Sequence, residues 1–472
     1  MVSSARYAKS CAFALAVLVL SGIHWGGEAR AQAQSQAKAS SFTLANGMQV
    51  VAIPDTRVPV VTHMVWYRVG AADDPSGKTG IAHFLEHLMF KGTRTIKSGE
   101  FTRIVNRLGG RHNALTTHDT TTYFQRVAKE HLRRVMELEA DRMTGLQLPA
   151  AEVLTERDVI KEERRSSIDA QPLSLLNEQM QAALYQNHPY GRPVIGFAHE
   201  IAQLSLQDAT AFYGQHYAPN NAILVVAGDV TAAEVRAFAE ATYGRNRAKY
   251  GVKPRERPSE PEPIAARSVR LEDGRAQAPI VLRTYLAPGF ANAKPGEAET
   301  LTLLARILGG DDTSRLYRDL VLGSKLAVQA GADYQGGGLD SGRLSLLALA
   351  ANDVTPIRIE QAIDDVVARL VIEGPMEAEL VRGKRALEAS GVFESDNQEM
   401  LARRYGEALA AGRTVADVEA VPARLEAVTA ADIKRVAAEY LISRRSVTGT
   451  LLRPPSKTAA AKESSSAMPN TK

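Results

Sequence analysis

The order of predicted elements repeats on either side of a proline-rich segment, and that repetition limits the architectures open to this chain. Residues Tyr250 to Ala266 hold Pro254, Pro258, Pro261 and Pro263 among charged residues, a composition that resists helix and central strand alike and reads as a linker. Before it, Phe42 to Ile53 alternates around the hairpin signal Asn46-Gly47, and Pro59 to Val69 is rich in valine, so both read as strands. Helical periodicity follows over Thr79 to Phe90 and Glu100 to Leu108, then a strand near Thr120 to Val127 and long helical patterns from Lys129 to Ser167. A short buried strand, Ala222 to Ala227, closes this half. Beyond the linker the order returns: strand Ile280 to Leu286, helix Glu297 to Leu308, Gly309-Gly310, a helix from Ser314, strand Gly342 to Ala350, and helices to about Tyr440. The expectation is an α+β fold of two homologous domains, each an antiparallel-rich sheet packed with helices. A chain of 472 residues has the length for two cores. The expected limits are 40–250 for the first domain, 251–266 for the linker and 267–454 for the second, with 455–472 a Ser/Ala/Lys-rich tail without periodicity.

The N-terminus predicts export. Arg6 and Lys9 precede the apolar stretch Cys11 to Ile23, and Ala29-Arg30-Ala31 or Ala31-Gln32-Ala33 offers a small-residue cleavage site, so residues 1–33 read as a secretory signal. An apolar run of about thirteen residues falls short of the roughly twenty that a membrane anchor needs. The expected location is therefore the periplasm, with no membrane attachment after cleavage at Ala31 or Ala33. Cys11 is the only cysteine and leaves with the signal, which excludes a disulfide, a thiol nucleophile and a cysteine-ligated metal from the mature chain. The net charge of +4 is spread over interspersed residues without a long cationic run, which argues against nucleic acid as a partner.

Chemistry concentrates in the helix that begins near Thr79. At about 100° per residue, His83, Glu86, His87 and Phe90 share one face, and Ile81, Leu85 and Leu88 the opposite one. Two imidazoles one turn apart can reach a single metal, and Glu86 between them can reach a water bound to it. The set His-x-x-Glu-His is the inverzincin signature. A hydrolytic zinc wants three protein ligands and an open position, and without cysteine the third is His, Asp or Glu. The helix from Pro149 to Ser167 offers it, because Glu156, Val159, Ile160 and Glu163 fall on one inward stripe while Asp158 and Glu162 point elsewhere. A solvated acidic run balanced by Arg157, Lys161 and Arg164 explains Glu162 better than Glu163.

The segment Gly80-Ile-Ala-His83-Phe-Leu-Glu86-His87-Leu-Met-Phe90-Lys-Gly92-Thr93 resembles the signature of the pitrilysin-type metallopeptidases, which include insulin-degrading enzyme and the mitochondrial processing peptidase β-subunit with its bacterial homologues. The resemblance runs over nearly the whole mature chain, including Pro219-Asn220-Asn221 and Arg315-Leu316-Tyr317. It implies a zinc endopeptidase acting on peptides or unfolded polypeptides, built as half of a clam-shell chamber, with one Zn²⁺ per chain. His83, His87 and Glu163 are the implied ligands, Glu86 the implied base on the metal's water, and Glu156 a support for the ligands. Asn113, Ala114 and Thr116, with Tyr123, match the edge-strand segment that pairs with substrate backbone. In the family an Arg and a Tyr seven positions apart, from a second homologous domain or subunit, complete the site. The matching segment here, Leu320 to Val328, carries Val321 and Val328 at those positions, and the second half has no histidine. The resemblance therefore implies a heterodimer with a zinc-free sister subunit that supplies the Arg/Tyr pair, in preference to a homodimer. The rival reading is a non-catalytic peptide-binding or scaffolding subunit; His83, Glu86, His87 and Glu163 are all intact, which favours catalysis.

Overall fold

The computed structural model describes residues 38–249 and 255–454. The predicted signal, the start of the predicted linker and the predicted tail lie outside the described residues. Runs of Val, Ile, Thr and aromatic residues pair into β1 (Ser40–Thr43), β2 (Gln49–Pro54), β3 (Val60–Tyr67), β4 (Arg111–Thr116), β5 (Thr121–Ala128) and β6 (Ala222–Gly228). Beyond the linker come β7 (Arg267–Glu272), β8 (Ile280–Ala287), β9 (Ala327–Gln335), β10 (Gly342–Ala350) and β11 (Ser446–Leu452). They form a six-stranded sheet, β1-β2-β6-β3-β5-β4, and a five-stranded sheet, β7-β11-β8-β10-β9.

The two sheets repeat one pattern. β2 runs parallel to β6, and β6-β3-β5-β4 continue antiparallel; β7 runs parallel to β11, and β11-β8-β10-β9 continue antiparallel. The duplication read from the sequence is thus a duplication of strand order and direction, with β1 the extra hairpin strand of the first half. β7, β9 and β11 escape sequence reading for separate reasons. β7 is an edge strand with alternating exposure, β9 is the opposite edge strand with Ala330, Ala332 and Tyr334 on its inner face, and Gly449 interrupts β11. The helix predicted from Ser314 is a wider π-type turn over Tyr317–Gly323.

One face of the first sheet packs under α1 (Ile81–Leu88), α2 (Glu100–Arg107), α3 (Leu132–Gly145) and α4 (Ala150–Arg164), burying Val50, Val61, Val65 and Tyr67 against Phe84, Leu85, Leu88, Val135 and Ile160. The opposite face is covered from the other half of the chain. Val51, Ile53, Met64, Trp66, Ile223 and Val225 pack against Ala402, Tyr405, Ala408 and Leu409 of the helix Gln398–Ala410. The second sheet is covered reciprocally, by Leu176, Met180 and Leu184 of α5 (Pro172–Leu184) against Leu282, Leu286, Val447 and Leu451. Burial on both faces is why β6 reads as an unbroken apolar run. Both crossings use a glycine. A Cβ on Gly406 would stand 2.1 Å from the Trp66 ring, and one on Gly449 2.1 Å from Met180 Sδ.

A charged seam closes the halves. Arg257, buried within the predicted linker, donates 3.0 Å to Asp73 and 3.3 Å to Asp340 and pairs with Asp119. Among the described residues no helix is long and apolar enough to cross a membrane.

The crossing predicts an inverted glycine effect. Gly406→Ala should destabilise the protein by about 1–3 kcal/mol through overpacking against Trp66. Gly391→Ala, facing open space in the helix Glu377–Asp396, should stabilise it by roughly 0.5–1 kcal/mol. Urea unfolding of both variants checks this, and equal signs would contradict the close approach.

Candidate metal centre

α1 begins where only glycine fits. Gly80 has φ +86°, and a Cβ there would lie 2.4 Å from the Ile195 carbonyl oxygen; across the contact a Cβ on Gly196, φ +89°, would lie 2.4 Å from the Thr79 carbonyl oxygen. Asp74 caps the helix from outside, accepting from Gly80 N at 2.7 Å and Ala82 N at 3.1 Å. A carboxylate there satisfies orphan amides and complements the positive end of the helix. With the start pinned, Ile81, Phe84, Leu85 and Leu88 enter the core, and His83 and His87 turn toward a cleft of about 710 Å³. Phe90 does not share the histidine face as predicted. It follows the last turn of α1 and packs on Phe101, His112 and Tyr123, with the buried Arg142 guanidinium over three of these rings. The chain has left the helix by that residue, so the 100° rule no longer applies.

α4 supplies both carboxylates, with one correction to the predicted stripe. Val153, Glu156 and Ile160 are buried and continue to Arg164, whereas Val159 is 46% exposed. The inward line runs on the other side of Glu156, which leaves Glu163 at the rim with its side chain 42% exposed toward the cleft. Glu163 Oε2 lies 3.4 Å from His87 Nε2 and 3.8 Å from His83 Nε2, and one ligand atom from each of the three residues falls within 4.8 Å of the others. Glu156 sits behind, accepting from His87 Nδ1 at 2.9 Å, with the Lys91 ammonium on its other oxygen. This orients the imidazole and leaves Nε2 free to face the cleft.

Two imidazole nitrogens and one carboxylate, with no thiol, is a donor set known for catalytic zinc. Glu86 is not one of the converging ligands. It is buried beside them and accepts a 2.6 Å hydrogen bond from Thr116 Oγ1. Thr116, expected to touch substrate, lines the cleft and also holds Glu86. Asn113 and Ala114 line the cleft on β4, the free edge of the sheet, where Asn113 Oδ1 accepts from Ala114 N at 2.9 Å. Every residue lining the cleft comes from the first half. Val321 packs against the second core, and Val328 stands 59% exposed on β9.

The protonation pattern follows from these contacts. Burial and the charge of His87 bring the His83 pKa down to about 4. Burial acts downward on His87 too, but its bonds to Glu156 and Glu163 outweigh it and raise the pKa to about 9. The His87 bond, helped by Lys91, brings Glu156 down to about 2. Burial raises Glu86, partly offset by Thr116. Sequence reasoning missed Asp74 and gave no role to Lys91.

Residues 49–197 match the family described as Insulinase (Peptidase family M16), and residues 203–387 match Peptidase M16 inactive domain. The chain is 36% identical over 296 residues to the zinc protease PqqE of Helicobacter pylori, spanning 62% of this chain and 66% of that protein. It is 27% identical over 364 residues to the uncharacterized zinc protease YmxG of Bacillus subtilis, spanning 76% and 85%. The solved structure of a protease from Helicobacter pylori is similar with a TM-score of 0.82 and 30% identity, over 88% of this chain and all of that one.

In the metal-free protein, His87 should keep its proton up to about pH 9 while His83 stays neutral down to about pH 4. Because the folded pKa of His87 exceeds its ordinary 6.5, the pairing stabilises the metal-free fold fully below about pH 6.5 and fades as pH rises through about 9. Glu156→Gln should bring the His87 titration down. Imidazole NMR titration of metal-free protein measures all three, and a His87 midpoint unmoved by Glu156→Gln would refute the pairing.

Proposed function

This chain belongs to the insulinase family of peptidases, peptidase family M16, and from that premise we propose that it is the zinc-bearing subunit of an endopeptidase that hydrolyses peptides or unstructured polypeptides. The observation that carries this reading is the convergence of His83 Nε2, His87 Nε2 and a Glu163 carboxylate oxygen in an open cleft, with Glu86 alongside. One zinc held by these three residues would supply a Lewis acid for the scissile carbonyl and a lowered pKa for water. Glu86 takes the proton of the attacking water and delivers it to the leaving amine. Burial suits it to the task, since a carboxylate with a raised pKa takes the water's proton more readily than an exposed one and keeps it until the leaving amine accepts it. Thr116 holds one Glu86 oxygen and limits its rotation. The free edge of β4 offers backbone groups to an extended peptide, with Asn113 and Ala114 beside the scissile bond.

A homologous zinc-free partner belongs to the same proposal. Charge developing on the carbonyl oxygen calls for a donor besides the metal. Among the described residues, none of the second half lines the cleft, and the positions matched to the family's Arg/Tyr pair are Val321 and Val328. A sister subunit carrying that pair fits the gap.

Metal analysis and peptide cleavage test both parts. The purified chain should hold one zinc, lost in His83→Ala, His87→Ala and Glu163→Gln, whereas Glu86→Gln should keep zinc and lose activity. Alone the chain should cleave feebly, by about a hundred- to a thousand-fold, the loss typical of a missing oxyanion donor, and regain turnover with one equivalent of the sister subunit. Wild-type activity in Glu86→Gln would refute the mechanism, and full activity of the isolated chain would refute the partner. We propose further that the protein is exported, on the pattern of residues 1–33. N-terminal sequencing of exported protein should begin at Gln32 or Gln34; an intact Met1 would refute export.

A further inference from the structure

Arg164 follows the proposed metal ligand Glu163 directly, and its side chain turns inward, only 7% exposed. Its guanidinium forks onto Glu178 of α5, NH1 to Oε2 at 2.8 Å and NH2 to Oε1 at 3.1 Å. NH1 also donates to the Gly196 carbonyl oxygen at 2.7 Å, and NH2 lies 3.3 Å from Asp169. Gly196 belongs to the loop that meets Thr79 and Gly80 at the start of α1, where Phe197 N donates to Thr79 Oγ1 at 3.0 Å. One buried cation therefore joins the end of α4, the cleft wall on α5, and the loop that seats the histidine-bearing helix.

The backbone explains why such a tie is needed. After Arg164 the helix widens into a π-type turn, Arg165–Asp169, and the Glu163 carbonyl accepts Ser166 Oγ at 3.0 Å and Ser167 Oγ at 2.8 Å. Widened turns of this kind recur at functional sites because they redirect side chains. Here the turn leaves Glu163 at the irregular end of α4, half exposed, with its carboxylate facing His83 and His87.

We propose that Arg164, through its fork with Glu178 and its bond to Gly196, is a positioning residue that sets the Glu163 carboxylate at ligand distance from His83 and His87. Planar bidentate geometry makes the pair directional, so it fixes the rotation of the end of α4 as well as its distance from α5. Lysine keeps the charge but not the fork. The inference rests on the metal reading above, and its test separates the two.

The experiment uses the full mature chain, stripped of metal and reloaded, with zinc affinity measured by chelator competition and the absorption bands of the cobalt(II)-substituted protein recorded beside it. Arg164→Gln should weaken zinc about 10- to 100-fold, the range seen when a partner of a metal ligand is removed, and shift the cobalt bands. Arg164→Lys should recover part of the affinity. Glu178→Gln should weaken zinc in the same direction, and the double variant should be no weaker than the weaker single, because both act through one pair. If Arg164→Gln does not fold, Glu178→Gln carries the measurement, with its own wild-type affinity and spectrum as the overturning result. Zinc bound by wild type with unchanged affinity and spectrum in Arg164→Gln, or losses that multiply in the double variant, would overturn this inference alone. Wild-type protein that binds no zinc would overturn the metal reading and this one with it.

Discussion

Each sheet of this molecule has two apolar faces, and its own half of the chain covers only one of them. The remaining face is closed by a helix from the other half, Gln398–Ala410 over the first sheet and α5 over the second. A sheet with one bare apolar face would not stand alone in water, so the halves depend on each other for their cores. α5 shows how this reaches the site. Leu176, Met180 and Leu184 lie one helical repeat apart and pack on the second sheet, while Ser174, Asn177, Glu178 and Gln181 line the cleft. Among the described residues the second half thus contributes none to the lining, yet it seats one wall of the cleft.

The cleft itself is a balance of charge in partly dry surroundings. Glu156 is shared between His87 and Lys91, Glu163 faces two imidazoles, and Arg164 is matched by Glu178. Buried charges persist only when paired, and here the pairs also set direction. His87 is turned by the carboxylate behind it, α4 is held by the cation after Glu163, and Glu86 is held by Thr116. Glu86 is the acid of the group least committed to a cation, which is the condition for a carboxylate that moves protons.

Local pattern made much of this legible in advance. His83, Glu86 and His87 could be placed on one helical face from the period of the helix alone, without reference to the rest of the fold. The same period put Glu156 and Glu163 on one stripe, and the family resemblance chose between them, although Val159, placed on that stripe, is exposed; an amphipathic line is read to within one neighbour, and packing on α1 selects the side. The duplication was visible in the order of elements, while β7, β9 and β11 were not, because an edge strand or a glycine-broken strand is held by its neighbours more than by its own residues.

The sequence by itself determined that His83, Glu86 and His87 share one helical face and that one α+β unit is repeated, because each depends on residue type and on spacings or element order along the chain. Tertiary structure alone decided that Thr116 serves Glu86, that Asp74 caps the histidine-bearing helix, that Arg164 is buried against Glu178, and that each half lends a helix to the other. These are contacts between residues distant in the chain, and no local period encodes which faces will meet when the sheets close.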